Sequence, residues 1–134
     1  MSCKAAIYTA NQGAQVLQIG SVLSLGSIIR RFGCGVNLNG NGIVIDREGY
    51  YDVDASITAT AAAAGTVTVT LLRDGVPVPG AVASATAAAA GTVALPITAL
   101  VRQSCGCSGG STLTLALGGT AATINNVALK VIKL

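Results

Sequence analysis

Apolar and polar side chains alternate with a period of two through most of this 134-residue chain. That spacing suits strands with one buried face and does not suit amphipathic helices. Over residues 50–60, Tyr51, Val53, Ala55 and Ile57 fall on one face, and Tyr50, Asp52, Asp54, Ser56, Thr58 and Thr60 on the other. Over residues 66–72, Val67, Val69 and Leu71 alternate with Thr66, Thr68 and Thr70, threonine being a polar residue that still favours a pleated sheet. Val93, Leu95, Ile97, Ala99 and Val101 form one face of a further strand, and Pro96 within it points to a sheet edge or a bulge because proline donates no ladder hydrogen bond. Residues 111–118 set Leu113, Leu115 and Leu117 against Thr112 and Thr114, while residues 127–134 are apolar on both faces and read as a strand buried on both sides. Weaker strand signals cover residues 5–9, 16–19, 21–31 and 42–45.

Turn residues separate these segments. Asp74-Gly75, flanked by Leu72 and Val76, predicts a type I′ hairpin, whose two central residues both need positive φ. The sequence Ala-Thr-Ala-Ala-Ala-Ala-Gly-Thr-Val occurs at 59–67 and again at 85–93. Each alanine run is too short to nucleate a helix, and two copies are too few for a solenoid. The repeats therefore read as two equivalent corners between strands. About nine short strands without a helix give an all-β, antiparallel β-sandwich, and a jelly roll is the preferred topology. At this length a single domain over residues 1–134 is expected, with 42–134 as the best-supported sandwich and 1–41 as an N-terminal arm or the first strands.

Composition bears on what such a sandwich does. Only 10% of the residues are charged, against about 25% in an average soluble domain. Too few charges are present to cover a free surface, so burial against copies of itself or a larger assembly is expected. The formal charge of +3 is weak and scattered, and aromatic residues make up 3%, which argues against nucleic-acid binding. The longest apolar stretch, 16–29, is interrupted by Gln18, Gly20, Ser21, Ser24, Gly26 and Ser27, so no membrane insertion is expected, and the opening residues carry no secretory signal.

No histidine is present, which removes the commonest general base and the usual catalytic triads. Asp46, Glu48, Asp52 and Asp54 cluster in sequence. They admit a calcium site, but without a calcium-loop spacing the reading preferred is solvated acids on a strand face. The same cluster as a glycosidase pair would need a pocket and aromatic platforms for sugar. Cys105-Gly106-Cys107 is one residue short of a zinc knuckle. No catalytic, cofactor-binding or metal-binding residue is therefore assigned, and no enzyme activity or cofactor is expected.

Gly49-Tyr50-Tyr51-Asp52-Val53, Leu71-Leu72-Arg73-Asp74-Gly75-Val76-Pro77-Val78 and the closing Val127-Ala128-Leu129-Lys130-Val131-Ile132-Lys133-Leu134 resemble the tumour-necrosis-factor-like jelly rolls of phages and bacteria. The whole chain also resembles short prophage-encoded virion proteins of gut Firmicutes. The resemblance implies a homotrimer on the virion surface, a capsid decoration or head-fibre module contacting the major capsid or another virion protein, made in the bacterial cytoplasm. Its alternative is a module that binds a receptor or host-surface glycan through loops at 37–42, 74–80 and 104–110. Known trimer cores of this kind use Tyr and Phe, which are scarce here. Cys3, Cys34, Cys105 and Cys107 permit three pairings, but for a protein folded in a reducing cytoplasm free thiols are the preferred expectation.

Overall fold

The computed structural model describes residues 4–104 and 110–134. Eleven strands form two antiparallel sheets with no helix among the described residues. The strands are β1 (Ala5–Asn11), β2 (Gln15–Leu17), β3 (Ser27–Phe32), β4 (Val36–Asn39), β5 (Gly42–Ile45), β6 (Gly49–Ala61), β7 (Gly65–Arg73), β8 (Val76–Ala87), β9 (Thr92–Gln103), β10 (Ser111–Gly118) and β11 (Ala122–Lys133). One sheet runs β3-β1-β11-β6-β9, with β2 continuing the β1 edge of β11, and the other runs β4-β5-β10-β7-β8. Strands that are distant in sequence lie side by side, as a jelly roll requires.

The alternation in the sequence is the packing in the fold. Tyr51, Val53, Ala55, Ile57, Ala59 and Ala61 of β6 are buried, and so are Val67, Val69 and Leu71 of β7 and Leu113, Leu115 and Leu117 of β10. These faces interdigitate as one core between the sheets. Pro96 sits on β9, which pairs only with β6 and forms a sheet edge. Asp74 and Gly75 have φ of 52° and 81°, as a type I′ turn demands, and they are the only two residues between β7 and β8. The Asp74 carboxylate also accepts a hydrogen bond from the Thr112 N–H at 2.9 Å, which fastens the hairpin to β10.

Four expectations change. The segments 37–42 and 74–80 are mostly strand rather than loop, because β4 pairs with β5 from Val36 to Asn39 and β8 begins at Val76. The segment 21–31 is a strand only from Ser27; before that it crosses between the sheets, hydrogen-bonded to β10 by Leu23 N–H to the Leu115 carbonyl. Leu23 and Leu25 are both fully buried and close the gap between β10 and β1. Gly26, at φ 79°, then turns the chain into β3 against the Ala10 carbonyl, where no side chain fits. Finally, β11 is buried on one face only: Val127, Leu129 and Val131 point into the core, whereas Ala128 and Ile132 are half-buried and Lys130 is exposed. Among the described residues no second layer covers that outward face.

Three contacts pin the end of the sandwich where β6 begins. Arg73 donates from Nε to Ser111 Oγ (3.2 Å), from Nη1 to the Arg102 carbonyl (2.8 Å) and from Nη2 to Gln103 Oε1 (2.6 Å). Ser111 Oγ donates to the same Gln103 oxygen at 2.9 Å, so one guanidinium ties β7 and β10 of one sheet to β9 of the other.

Candidate protein interface

Cross-strand register places the outward side chains of the six-stranded sheet in rows. One row reads Arg30, Tyr8, Lys130, Asp54, Thr98 across β3, β1, β11, β6 and β9. The next reads Phe32, Ala6, Ile132, Asp52, Leu100, and beyond it Tyr50 lies opposite Arg102. Directly paired residues project to the same side of a sheet, so these groups share one face.

That face holds most of the chain's aromatic character. Of three tyrosines and one phenylalanine, only Tyr51 is in the core; Tyr8, Tyr50 and Phe32 are 37%, 49% and 62% exposed. Leu100 is 60% exposed beside them. Exposed Tyr, Phe and Leu with Arg among them is the composition of a protein contact rather than of an idle surface. The charges are largely matched within the face. Lys130 Nζ lies 3.5 Å from Asp54 Oδ2, and the Arg102 guanidinium stacks over the Tyr50 ring at 5.6 Å from its centroid. A shallow depression of about 220 Å³ between Tyr8, Asp54, Ala128 and Lys130 gives the face relief. The signal for these residues was in the sequence: Tyr8 and Tyr50 are out of phase with the buried Ile7 and Tyr51, and large rings at polar-phase positions are the anomaly.

The acidic residues do not converge. Asp52 and Asp54 project from β6 on this outward face, while Asp46 sits in the loop after β5, its N–H donating to the Gly35 carbonyl at 3.1 Å. Among the described residues no three His, Cys, Asp or Glu side chains are placed to hold a metal ion. Burial raises the Tyr51 phenol above its ordinary value of 10.0, and its O–H donates to the Arg47 carbonyl at 2.7 Å. Cys34, in the turn between β3 and β4, is disulfide-bonded, which corrects the expectation of free thiols for this residue. That expectation rested on compartment chemistry, which carries no information about which side chains a fold brings together. Cys3, Cys105, Cys107 and most of the expected 104–110 loop lie outside the described residues.

No family model and no curated protein matches the chain. Solved structures do. A crystal structure of murine APRIL superposes with a TM-score of 0.76 at 11% identity, covering 98% of this chain and 99% of that one. The globular domain of zebrafish complement 1qA gives 0.69 at 7% identity over 93% and 94%. The vertex protein P5 of phage PRD1 gives 0.65 at 12% identity over 97% and 96%. Likeness at such identities speaks to architecture, and the architecture is an all-β jelly roll of the tumour-necrosis-factor-like type.

Proposed function

We propose that the chain is a non-enzymatic structural module that works as a homotrimer on the surface of a phage particle, as a capsid decoration or head fibre. The observation that carries self-association is the outward face of the six-stranded sheet, where Tyr8, Tyr50, Phe32 and Leu100 are exposed together. A contact there supplies the second buried side of β11 that the sequence calls for. The particle setting draws support from the shared fold with a phage vertex protein. It is also compatible with an oxidised Cys34, since a released particle leaves the reducing cytoplasm. Glycan binding has less support, because the segments 37–42, 74–80 and 104–110 contain no aromatic residue on which a sugar could stack.

Native mass spectrometry and light scattering test the oligomer. A trimer is expected, and Tyr8→Asp, which places a charge at the centre of the face, should reduce it to monomers that retain the β-sheet circular dichroism of the parent. A clean monomer from the unaltered chain would overturn the trimer. Immunogold labelling of purified particles from a lysate tests the setting, and unlabelled particles beside abundant soluble protein would overturn it.

A further inference from the structure

Asparagine precedes glycine twice in succession, at Asn39-Gly40 and Asn41-Gly42. Glycine has no Cβ to shield its backbone nitrogen, so at either step that nitrogen can reach the asparagine Cγ. The fold treats the two steps differently. Together they make the hairpin between β4 and β5, with Asn39 and Gly42 as the last ladder pair and Gly40 and Asn41 as the two turn residues. Gly40 has a φ of 62°, whereas Asn41 is not among the residues of positive φ. Glycine at the first central position is the type II′ arrangement.

In such a turn the carbonyl of the first residue accepts from the N–H of the fourth, which commits the Gly42 nitrogen to the ladder. Gly42 is also buried: a Cβ there would overlap the Thr112 Cγ2 and lie 3.3 Å from the Leu113 carbonyl oxygen. Gly40 has neither restraint. It is exposed, nothing stands within 4 Å of the place a Cβ would take, and its N–H makes no backbone hydrogen bond among the described residues. β4 is a four-residue edge strand paired only with β5. The tip of such a strand opens at little cost, so the peptide plane between Asn39 and Gly40 turns without moving a second strand.

The other asparagines are held or crowded. Asn37 Oδ1 accepts from the Leu38 N–H at 3.0 Å, Asn11 Nδ2 donates to the Ser24 carbonyl at 3.2 Å, and Asn125 Nδ2 donates to Thr60 Oγ1 at 2.8 Å. Asn126 precedes Val127, whose branched Cβ crowds the nitrogen that would attack. Among the described residues the Asn39 side chain has no hydrogen-bond partner.

We propose that Asn39 is a self-modification site, converted by its neighbour Gly40 to aspartate or isoaspartate. The Gly40 nitrogen, its proton lost to hydroxide, donates its electron pair to the Asn39 Cγ. A C–N bond forms, the bond from Cγ to Nδ2 breaks, and the side-chain nitrogen leaves as ammonia with a proton taken from water. Water then opens the cyclic imide at one of its two carbonyls. Opening at the side-chain carbonyl leaves aspartate, and opening at the main-chain carbonyl leaves isoaspartate. The product lowers the formal charge of +3 by one, and isoaspartate also adds a methylene group to the main chain at the end of β4.

The test holds the full chain at mildly alkaline pH, then reduces it and digests it with trypsin. Cleavage after Arg31 and Arg47 releases residues 32–47, which contain Asn37, Asn39 and Asn41 together. Tandem mass spectrometry therefore compares all three within one peptide. The mass gain of amide replaced by carboxyl should appear at Asn39 at least about fivefold faster than at Asn41, the factor imposed by giving up one ladder hydrogen bond. Protein isoaspartyl methyltransferase should methylate the product. In urea, where the turn is lost, the rates at the two steps should converge. Asn39→Gln should remove the fast phase and leave the slow one at Asn41. No gain at Asn39, equal rates in the folded chain, or the same ratio in urea as in the fold would each overturn the proposal. β4 belongs to the five-stranded sheet, so the result does not depend on how the outward face of the six-stranded sheet associates.

Discussion

Replacing Gly26 and Gly20 separately by alanine isolates the cost of the close approach at the crossing between sheets. Both glycines have φ in the left-handed region, 79° and 90°. Adding a Cβ there costs about 1–2 kcal/mol in backbone conformation, partly offset by ~0.5–1 kcal/mol because alanine stiffens the unfolded chain. For Gly20 nothing lies within 4 Å of the new Cβ, so the net loss should be about 1 kcal/mol. At Gly26 the Cβ would overlap the Ala10 carbonyl oxygen and come within 2.7 Å of the Asn11 Cβ. β1 cannot retreat, because β11 and β3 hold it on both sides. Forced displacement of packed groups adds about 1–3 kcal/mol, giving roughly 3 kcal/mol for Gly26→Ala. For a domain of this size that lowers Tm by about 10 °C, against about 3–4 °C for Gly20→Ala. Urea titration followed by circular dichroism reads the difference. Equal losses for the two variants would mean that β1 yields freely, and the account of the crossing would fail.

Three further perturbations follow from the packing. Thr9 is fully buried and its Oγ1 has no hydrogen-bond partner among the described residues, so Thr9→Val should raise stability by about 1 kcal/mol in chemical denaturation; a loss would show that the hydroxyl is satisfied in solution. Arg73→Met removes the fan that joins the sheets and, with the site partly open to solvent, should cost about 2 kcal/mol, with Arg73→Lys recovering less than half because an ammonium cannot copy the fork. Burial raises the Tyr51 pKa in the fold, so above pH 10.0 the unfolded chain loses this proton first. Stability contributed by the neutral phenol is thus fully present below that pH and is lost as pH rises through the folded value. Tyr51→Phe should lose about 1 kcal/mol near neutrality and show a shallower decline at alkaline pH; parallel alkaline profiles would refute the assignment.

Much of the fold was legible because one-sided burial imposes a period of two. The 50–60 alternation that buries Tyr51 to Ile57, the 66–72 alternation, Pro96 at an edge and the Asp74-Gly75 turn each follow from local physics. What escaped is non-local. Leu23 and Leu25 fill a gap that exists only once β10 and β1 are in place, and β4 was hidden because Asn37 and Asn39 look like turn residues when considered without their partner strand. The candidate interface was half legible. The phase of Tyr8 and Tyr50 marked them, but only the register across β3, β1, β11, β6 and β9 shows that they share a face.

The place of β11 has a consequence for how the chain is made. It is the last of the eleven strands to leave the ribosome, yet it lies between β1 and β6. Until it emerges, the facing edges of both strands are unpaired, and non-local closures of this kind are slow. During that interval a neighbouring nascent chain could supply the missing strand, with β6 the longest template available at 13 residues. Asp52 and Asp54 point outward from β6. In an in-register stack of β6 strands from two nascent chains each carboxylate would meet its own copy, and like-charge repulsion disfavours that stack.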